Sequence, residues 1–294
     1  MTAIIGGLGA AILWATATVA SSRSSRLIGS RVVLAWVMIV GVAVGLPIGI
    51  ISGVPADIPP GAPFLLLLAG ICYAAGLQVT YAALTIGKVA IVAPIVATEG
   101  AIAAMIAVAL GDPIGLIAGV LLAIIAIGVV LSSLERSGPA VPAGDIAIEP
   151  DDAQATDTRR AVILSIVAAL IFGVGLVASG KAALLVPPIW VALTARFVGL
   201  AVVVLPVVLQ RRLRVTRQTL PLVLVAGVGE IFGSSLSAWG ATQSIAVVAV
   251  LGSQFAAIAA VAAYFLFHER LAPVQVVGVV LVVFGVTALA ASSA

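Results

Sequence analysis

Charged residues are scarce in this sequence. Asp, Glu, Lys and Arg make up 9% of the 294 residues, whereas hydrophobic residues make up 63%. A soluble domain usually has about 25% charged residues, and it could not bury this much apolar side chain. The composition therefore excludes a water-soluble fold and predicts a protein with several membrane spans.

Cysteine and histidine are also nearly missing, with only Cys72 and His268 present. A single cysteine excludes an internal disulfide and any multi-cysteine metal site. The stretch HERLA, beginning at His268, lacks the second histidine of a zinc-peptidase motif, and no complete P-loop or dinucleotide fingerprint is present. We therefore predict that the protein is not an enzyme and uses no metal or cofactor.

The net charge of +3 does not indicate a nucleic-acid partner, because the basic residues fall at the ends of apolar segments and in short loops. Basic residues in such places mark the interface of a lipid bilayer. The predicted partners are the bilayer and a small-molecule substrate.

Ten apolar segments follow one another, each long enough to cross a bilayer. They cover residues 3–20, 32–52, 63–84, 89–110, 113–133, 161–180, 188–209, 219–241, 245–267 and 273–292. A backbone in lipid must satisfy its own hydrogen bonds, and the strict alternation of barrel strands is missing. We therefore predict an all-α polytopic membrane protein with ten transmembrane helices.

One acidic, proline-containing stretch, residues 135–160, has almost no large apolar residue and is predicted to be a flexible linker. It separates two five-helix repeats, 1–134 and 161–294. A shift of about 157 residues places Asp112 on Glu269, and the surrounding pattern of loop, helix, acidic turn and helix is shared. With an odd number of helices per repeat, the second copy crosses the membrane in the opposite direction. Secondary transporters have such inverted repeats, with the site between them near the midplane.

Short motifs recur in the same order in both halves. They are Leu13-Trp14 and Arg31 in the first half, and Ile171-Phe172-Gly173, Lys181, Pro187-Pro188 and Arg196-Phe197 in the second. With these motifs nearly the whole chain resembles the EamA-like, ten-helix branch of the drug/metabolite transporter superfamily. Glu99-Gly100 falls where that family often has Glu-Pro, whereas the second half has Ser253 and Gln254 in this region. The resemblance implies export or exchange of small metabolites across the plasma (inner) membrane.

Glu99 is the first candidate for the site, because it is the one carboxylate within the apolar segment 89–110. An ionisable residue at this depth costs about 2.5–3.5 kcal/mol on insertion scales and is therefore usually functional. We interpret Glu99 as a carboxylate that exchanges a proton or binds a substrate ammonium group. The alternative is a structural carboxylate that caps a broken backbone or pairs with Arg31 or Arg196.

Glu230 is the second candidate. Ser234 and Ser237 follow it at helical spacing and form a polar stripe, which could face water or could connect helices by hydrogen bonds. Gln78 and Tyr81, with Thr85, form a similar stripe on the third helix, for which packing is the favoured interpretation.

Arg196 could present its planar guanidinium to a substrate carboxylate. The alternatives are that its side chain extends to the membrane interface or neutralises a glutamate. Ser253 and Gln254 would offer neutral hydrogen bonds in the wall opposite Glu99. Trp14, Trp239 and Tyr81 could line the site with aromatic rings, although interfacial or core positions are the commoner alternative.

Two glycine stripes have the small-xxx-small spacing of close helix contacts. They are Gly41, Gly45 and Gly49 in the second span and Gly111, Gly115 and Gly119 before and within the fifth. We interpret both as surfaces for close backbone approach, with a homodimer contact as the alternative.

Two arguments about orientation disagree. Most arginines fall in the connections on one side of the membrane, the side that contains residues 210–218. The positive-inside rule predicts that this side is cytoplasmic. Both chain termini would then be outside. The resemblance implies cytoplasmic termini. We adopt the charge-based prediction.

Together these features predict a secondary carrier that works by alternating access and moves an amino acid or a related amphipathic solute outward, by uniport or in exchange for H⁺. In this hypothesis Glu99 is titratable and Arg196 and Gln254 orient the solute. The alternative is a non-transporting membrane scaffold or lipid-handling protein, which a dry interior would favour.

Overall fold

The structure, a computed structural model, describes residues 1–87, 89–112, 115–133 and 152–258, with a few separate positions between 274 and 288. These residues form helices and connections, without a strand among them, as the all-α prediction requires. In chain order the elements are α1 (Thr2–Ile28), α2 (Ser30–Ile51), α3 (Ala62–Ile86), α4 (Val89–Ala97), α5 (Glu99–Ala109), α6 (Leu116–Ser133), α7 (Asp152–Ala183), α8 (Pro188–Gly199), a π-helical segment (Leu200–Val204), α9 (Leu205–Leu209), α10 (Leu220–Ala241) and α11 (Ile245–Gly252).

Two helices extend beyond their apolar segments. Helix α1 continues to Ile28 instead of ending at residue 20, because its last turns bury Ser21 and Ser24, and the Ser24 hydroxyl donates to the Ala20 carbonyl. Serines that bond within their own helix are invisible to a hydropathy window. Helix α7 begins at Asp152, inside the stretch predicted to be a linker. Residues 134–151 and most of the tenth predicted segment lie outside the described residues.

The span 188–209 contains a local widening. Pro206 has no N–H with which to continue the α-helical ladder. Directly before it, the Leu205 amide donates to the Leu200 carbonyl, five residues back, and residues 200–204 form a π-helical turn. The helix therefore passes the proline without ending.

The fourth helix of each half is interrupted at a comparable place. Segment 89–110 does not form one helix, since Thr98 is in a turn between α4 and α5, and its hydroxyl donates to the Ile95 carbonyl. In the second half, α11 ends at Gly252, a turn covers Ser253 and Gln254, and helix resumes over residues 255–258. The two interruptions lie close together, since a Cβ at Gly100 would come within 2.7 Å of Ser253 Cβ.

The two halves pack against each other through nearly all their described helices. The most extensive contacts are α1 with α10 and α3 with α7, while α2 packs on α8 and α5 on α11. Each pair joins one helix from each half. This reciprocal pairing is expected of two similar units related by a two-fold axis.

Loop hydrogen bonds define two ends of the helix bundle. At one end, Arg26 donates to the Gly87 carbonyl and the Trp36 indole to the Arg214 carbonyl. We call this the basic end, because it holds Arg23, Arg26, Arg31, Arg159, Arg160, Arg211, Arg212, Arg214 and Arg217. At the other end, the Trp190 indole donates to the Gly53 carbonyl, and the Ala246 amide donates to the Asp112 carboxylate.

The exterior of the bundle is apolar. Six helical stretches among the described residues are long and apolar enough to cross a membrane, and they expose large side chains such as Phe64, Leu67 and Val202. The six are Thr2–Ile28, Ser30–Ile51, Ala62–Ile86, Arg159–Ala183, Pro188–Leu209 and Leu220–Ala241. A surface of this kind fits lipid rather than water.

Candidate functional site

A cavity lies at the interface of the two halves. Its walls come from α1, α3, α4, α5, α7, α8, α10 and the helical turn that follows α11. The space open to the centres of water-sized molecules is about 80 Å³, and one water needs about 10–15 Å³ on this measure. The cavity can therefore hold several waters or a small solute.

Arg196 is the central basic group of this cavity. Its side chain is fully buried, and its guanidinium lies over the Tyr73 ring at 4.1 Å from the ring centroid. One terminal nitrogen donates to the Ser234 hydroxyl at 3.0 Å. Nε and the other terminal nitrogen are buried without a hydrogen-bond partner among the described residues.

Tyr73 connects Arg196 to Glu230. Its hydroxyl donates to a Glu230 carboxylate oxygen at 2.5 Å, while its ring faces the guanidinium. Glu230 is 5% exposed, so both members of this opposite-charge set are buried. A buried charge needs a partner of opposite sign or hydrogen bonds. Tyr73 donates a hydrogen bond to Glu230 and places its ring against the Arg196 guanidinium.

Gly41 makes room for the arginine. A Cβ atom at this position of α2 would lie 2.8 Å from Arg196 Cγ and 3.2 Å from Nε. A Cβ at Gly45 or Gly49 would similarly meet side chains of α8 or α10 within 3.0 Å. The prediction of a close-approach surface is therefore confirmed for this stripe.

The second glycine stripe has a different role. A Cβ at Gly111 or Gly115 would meet no described atom within 4 Å, so the predicted close approach is wrong for these two glycines. Gly111 instead has φ +92° in the turn after α5, a conformation that L-residues with a side chain rarely adopt.

Glu99 borders the same cavity from α5. It is 6% exposed and is the first residue of α5, directly after the turn at Thr98. A carboxylate is favoured at a helix N-terminus by the unpaired backbone amides there. Among the described residues no side chain donates a hydrogen bond to Glu99, in contrast to Glu230. Glu99 therefore faces space that water or a solute can occupy.

The structure brings together most, but not all, of the residues predicted for the site. Trp14, Tyr81, Glu99, Arg196 and Glu230 line the cavity, together with Ser234 and Ser237 of the polar stripe on α10. The Trp14 indole packs beside Gly233 and Gly252, and Tyr81 accepts a hydrogen bond from Ser21.

Four predicted residues do not border the cavity. Ser253 and Gln254 are buried and both donate to the Val250 carbonyl. Gln78 lies half-buried on another face of α3, and Trp239 is 41% exposed on the outside of the bundle.

Several lining residues were missed by the sequence reasoning. They are Thr18, Tyr73, Thr80, Phe172, Ser179 and Phe255. Tyr73 and Thr80 are seven residues apart and lie on one face of α3, so they form a second polar pair beside the predicted stripe of Gln78, Tyr81 and Thr85. Phe172 and Phe255 have no such signal, because an apolar ring in an apolar segment is ordinary.

Long apolar helices with a lipid-compatible exterior define the class of the protein, which is a polytopic helical membrane protein with ionisable side chains in an internal cavity. The family model of the EamA-like transporter family matches residues 1–134 and 159–291. The chain belongs to this family, and the resemblance identified from its motifs is confirmed.

The fold is shared with a solved structure titled only "Crystal structure of protein". The TM-score is 0.73 at 18% sequence identity, and the match covers 98% of this chain and 96% of that chain. This likeness concerns the fold alone. A search of curated proteins found no match.

Proposed function

We propose that the protein is a secondary carrier that moves a small amphipathic solute, an amino acid or a related amine, out of the cell by alternating access. The observation that carries the proposal is the convergence of Glu99, Glu230 and Arg196 on one cavity between the halves. The proposal rests on family membership for the transport function and on this cavity for the location of the solute.

The interrupted helices support the position of the site. Transporters built from paired repeats bind solute where helices are discontinuous, since irregular backbone is tolerated in a membrane only beside protein or a water-filled cavity. Both interruptions lie near the cavity, with Glu99 and Phe255 as their lining residues. Rocking of one half against the other would then expose the same groups to either side.

Glu99 is proposed as the group that couples transport to H⁺. It is a buried carboxylate that borders open space, and a charge in this position requires a proton, a cation or water. A scaffold or lipid-handling function would be favoured by a dry, apolar interior, and a cavity lined by ionisable residues is the opposite arrangement.

Replacement of Glu99 by glutamine tests the proposal. In proteoliposomes with an imposed pH gradient, the wild type should move the solute with a rate that depends on the gradient. Glu99→Gln keeps the side-chain size and should lose this dependence, because its amide cannot exchange a proton. The matched control is Asp57→Asn, which removes a carboxylate from an exposed loop. Flux through Glu99→Gln with an unchanged response to the gradient would contradict the coupling role.

We also propose that the basic end of the bundle faces the cytoplasm of a plasma (inner) membrane, because arginine excess marks cytoplasmic loops. Helix α1 begins at the other end, so Met1 would be outside. A periplasmic-type reporter fused at Met1 should be active and a cytoplasm-only reporter inactive. The reverse pattern would overturn this orientation.

A further inference from the structure

We infer that the cavity selects a monocationic solute with an aromatic or apolar body, a protonated amine, over the zwitterion or the anion of the same shape. This inference rests on the proposed function only in the assumption that the bound solute is also carried. It follows from how the three charged side chains of the cavity are partnered.

Arg196 and Glu230 form an internally neutral set. The guanidinium lies over the Tyr73 ring at 4.1 Å, and the Tyr73 hydroxyl donates to Glu230 at 2.5 Å. Ser234, one helical turn after Glu230, accepts from the guanidinium at 3.0 Å. The two charges of this set sum to zero, and Tyr73 connects them without a direct ion pair.

The remaining nitrogen atoms of Arg196 are not open to the cavity. Nε and one terminal nitrogen are buried, and Nε lies beside Gly41, where a Cβ would come within 3.2 Å. One face of the guanidinium is covered by the Tyr73 ring. A carboxylate in the cavity thus has no free bidentate fork to bind.

Glu99 is the charged residue of the cavity for which the described part of the chain supplies no hydrogen-bond donor or ion-pair partner. The titratable or charged side chains that share the cavity with it are Glu230, Arg196, Tyr73 and Tyr81, and none of these is hydrogen-bonded to Glu99. The site is neutral when Glu99 holds either a proton or one cation. An ammonium group that binds therefore displaces one proton from the carboxyl group to solvent, and its departure allows one proton to return.

The aromatic lining fits the body of such a solute. Trp14, Tyr73, Tyr81, Phe172 and Phe255 all border the cavity. Ring faces attract a desolvated cation and accept an apolar group equally well. The site thus combines one uncompensated carboxylate with several rings, which is the chemistry of amine recognition.

Three ligands of matched shape test the inference, namely phenethylamine, phenylalanine and 3-phenylpropionate. They differ in charge at one end and share the ring and chain. Binding to purified wild-type protein, followed by calorimetry, should be strongest for phenethylamine and at least about tenfold weaker for phenylalanine, with no measurable binding of 3-phenylpropionate. Runs in buffers of different ionisation enthalpy should show release of one proton per amine, and the affinity should fall as pH falls.

Variants assign the effect to Glu99. Glu99→Gln should weaken phenethylamine binding by about 30-fold or more, whereas Asp57→Asn should leave it unchanged. The ranking of the three ligands on the wild type needs no variant and keeps the inference testable if Glu99→Gln does not fold. Stronger binding of phenylalanine or 3-phenylpropionate, or unchanged amine binding in folded Glu99→Gln, would overturn it.

Failure of the inference and failure of the proposed function give different results. If phenylalanine is transported in preference to phenethylamine, the carrier function stands and the charge selection is wrong. If phenethylamine binds as expected but no solute crosses proteoliposome membranes, the charge selection stands and the carrier function is wrong.

Discussion

Arg196→Met should lower the free energy of unfolding by about 3 kcal/mol, the lower end of the range for breaking a buried ion pair, because Arg196 is linked to Glu230 only through Tyr73. The methionine retains most of the side-chain volume, so packing against Gly41 changes little. What it removes is the positive charge that offsets Glu230, which is 5% exposed and has only the Tyr73 hydroxyl as a described donor. Unfolding midpoints in detergent micelles would measure the loss.

The double variant Arg196→Met/Glu230→Gln tests whether the two charges stabilise the fold together. Removing both charges should recover most of the lost stability, because a neutral amide can still accept from Tyr73 and no unpaired charge remains. Additive losses in the double variant would show that Arg196 and Glu230 are independent. In that case the neutral set on which the charge selection depends would not exist.

Gly100→Ala should cost about 2–3 kcal/mol of stability by overpacking, although alanine is intrinsically the better helix former by about 1 kcal/mol. A Cβ at Gly100 would collide with the Ala249 carbonyl oxygen and lie 2.7 Å from Ser253 Cβ, where α5 crosses α11. Backbone on the facing helix cannot rotate aside as a side chain can. The helices must therefore separate.

Gly115→Ala is the matched control for this crossing. Gly115 precedes α6, and a Cβ there would meet no described atom within 4 Å. Its change in unfolding midpoint should correspond to less than about 1 kcal/mol, the range for an altered helix N-cap. Equal effects of Gly100→Ala and Gly115→Ala would mean that the α5–α11 contact does not limit stability. Because Glu99 precedes Gly100, solute binding by Gly100→Ala should weaken in parallel.

Hydropathy was sufficient to predict the all-α membrane fold and the six long apolar helices of the described residues, since the bilayer sets helix length and lipid leaves the backbone few other conformations. It did not predict the break at Thr98 that divides segment 89–110. It did locate Glu99, because a lone carboxylate in an apolar segment needs no tertiary information to be noticed. The polar stripe of Glu230, Ser234 and Ser237 was recognisable from helical spacing for the same reason, and all three residues line the cavity.

The errors concern which side of a helix faces inward. Gln78 and Tyr73 are five residues apart on α3, which corresponds to about 140° of rotation, and only packing against α7 and α8 decides that Tyr73 reaches the cavity. In an apolar environment polarity alone does not determine helix rotation, because glycine contacts and side-chain volume dominate helix association.

Charge partnership is likewise a tertiary property. In the one-dimensional pattern Glu99 and Glu230 are similar carboxylates, and Arg196 could neutralise either of them. Folding places the Tyr73 hydroxyl beside Glu230 and the Arg196 guanidinium over the Tyr73 ring, and it leaves Glu99 facing the cavity. The sequence alone thus determines that ionisable groups lie in the membrane, because residue type is sufficient to show it. Which of these groups remains available to a solute depends on distances of a few ångströms between helices from different halves.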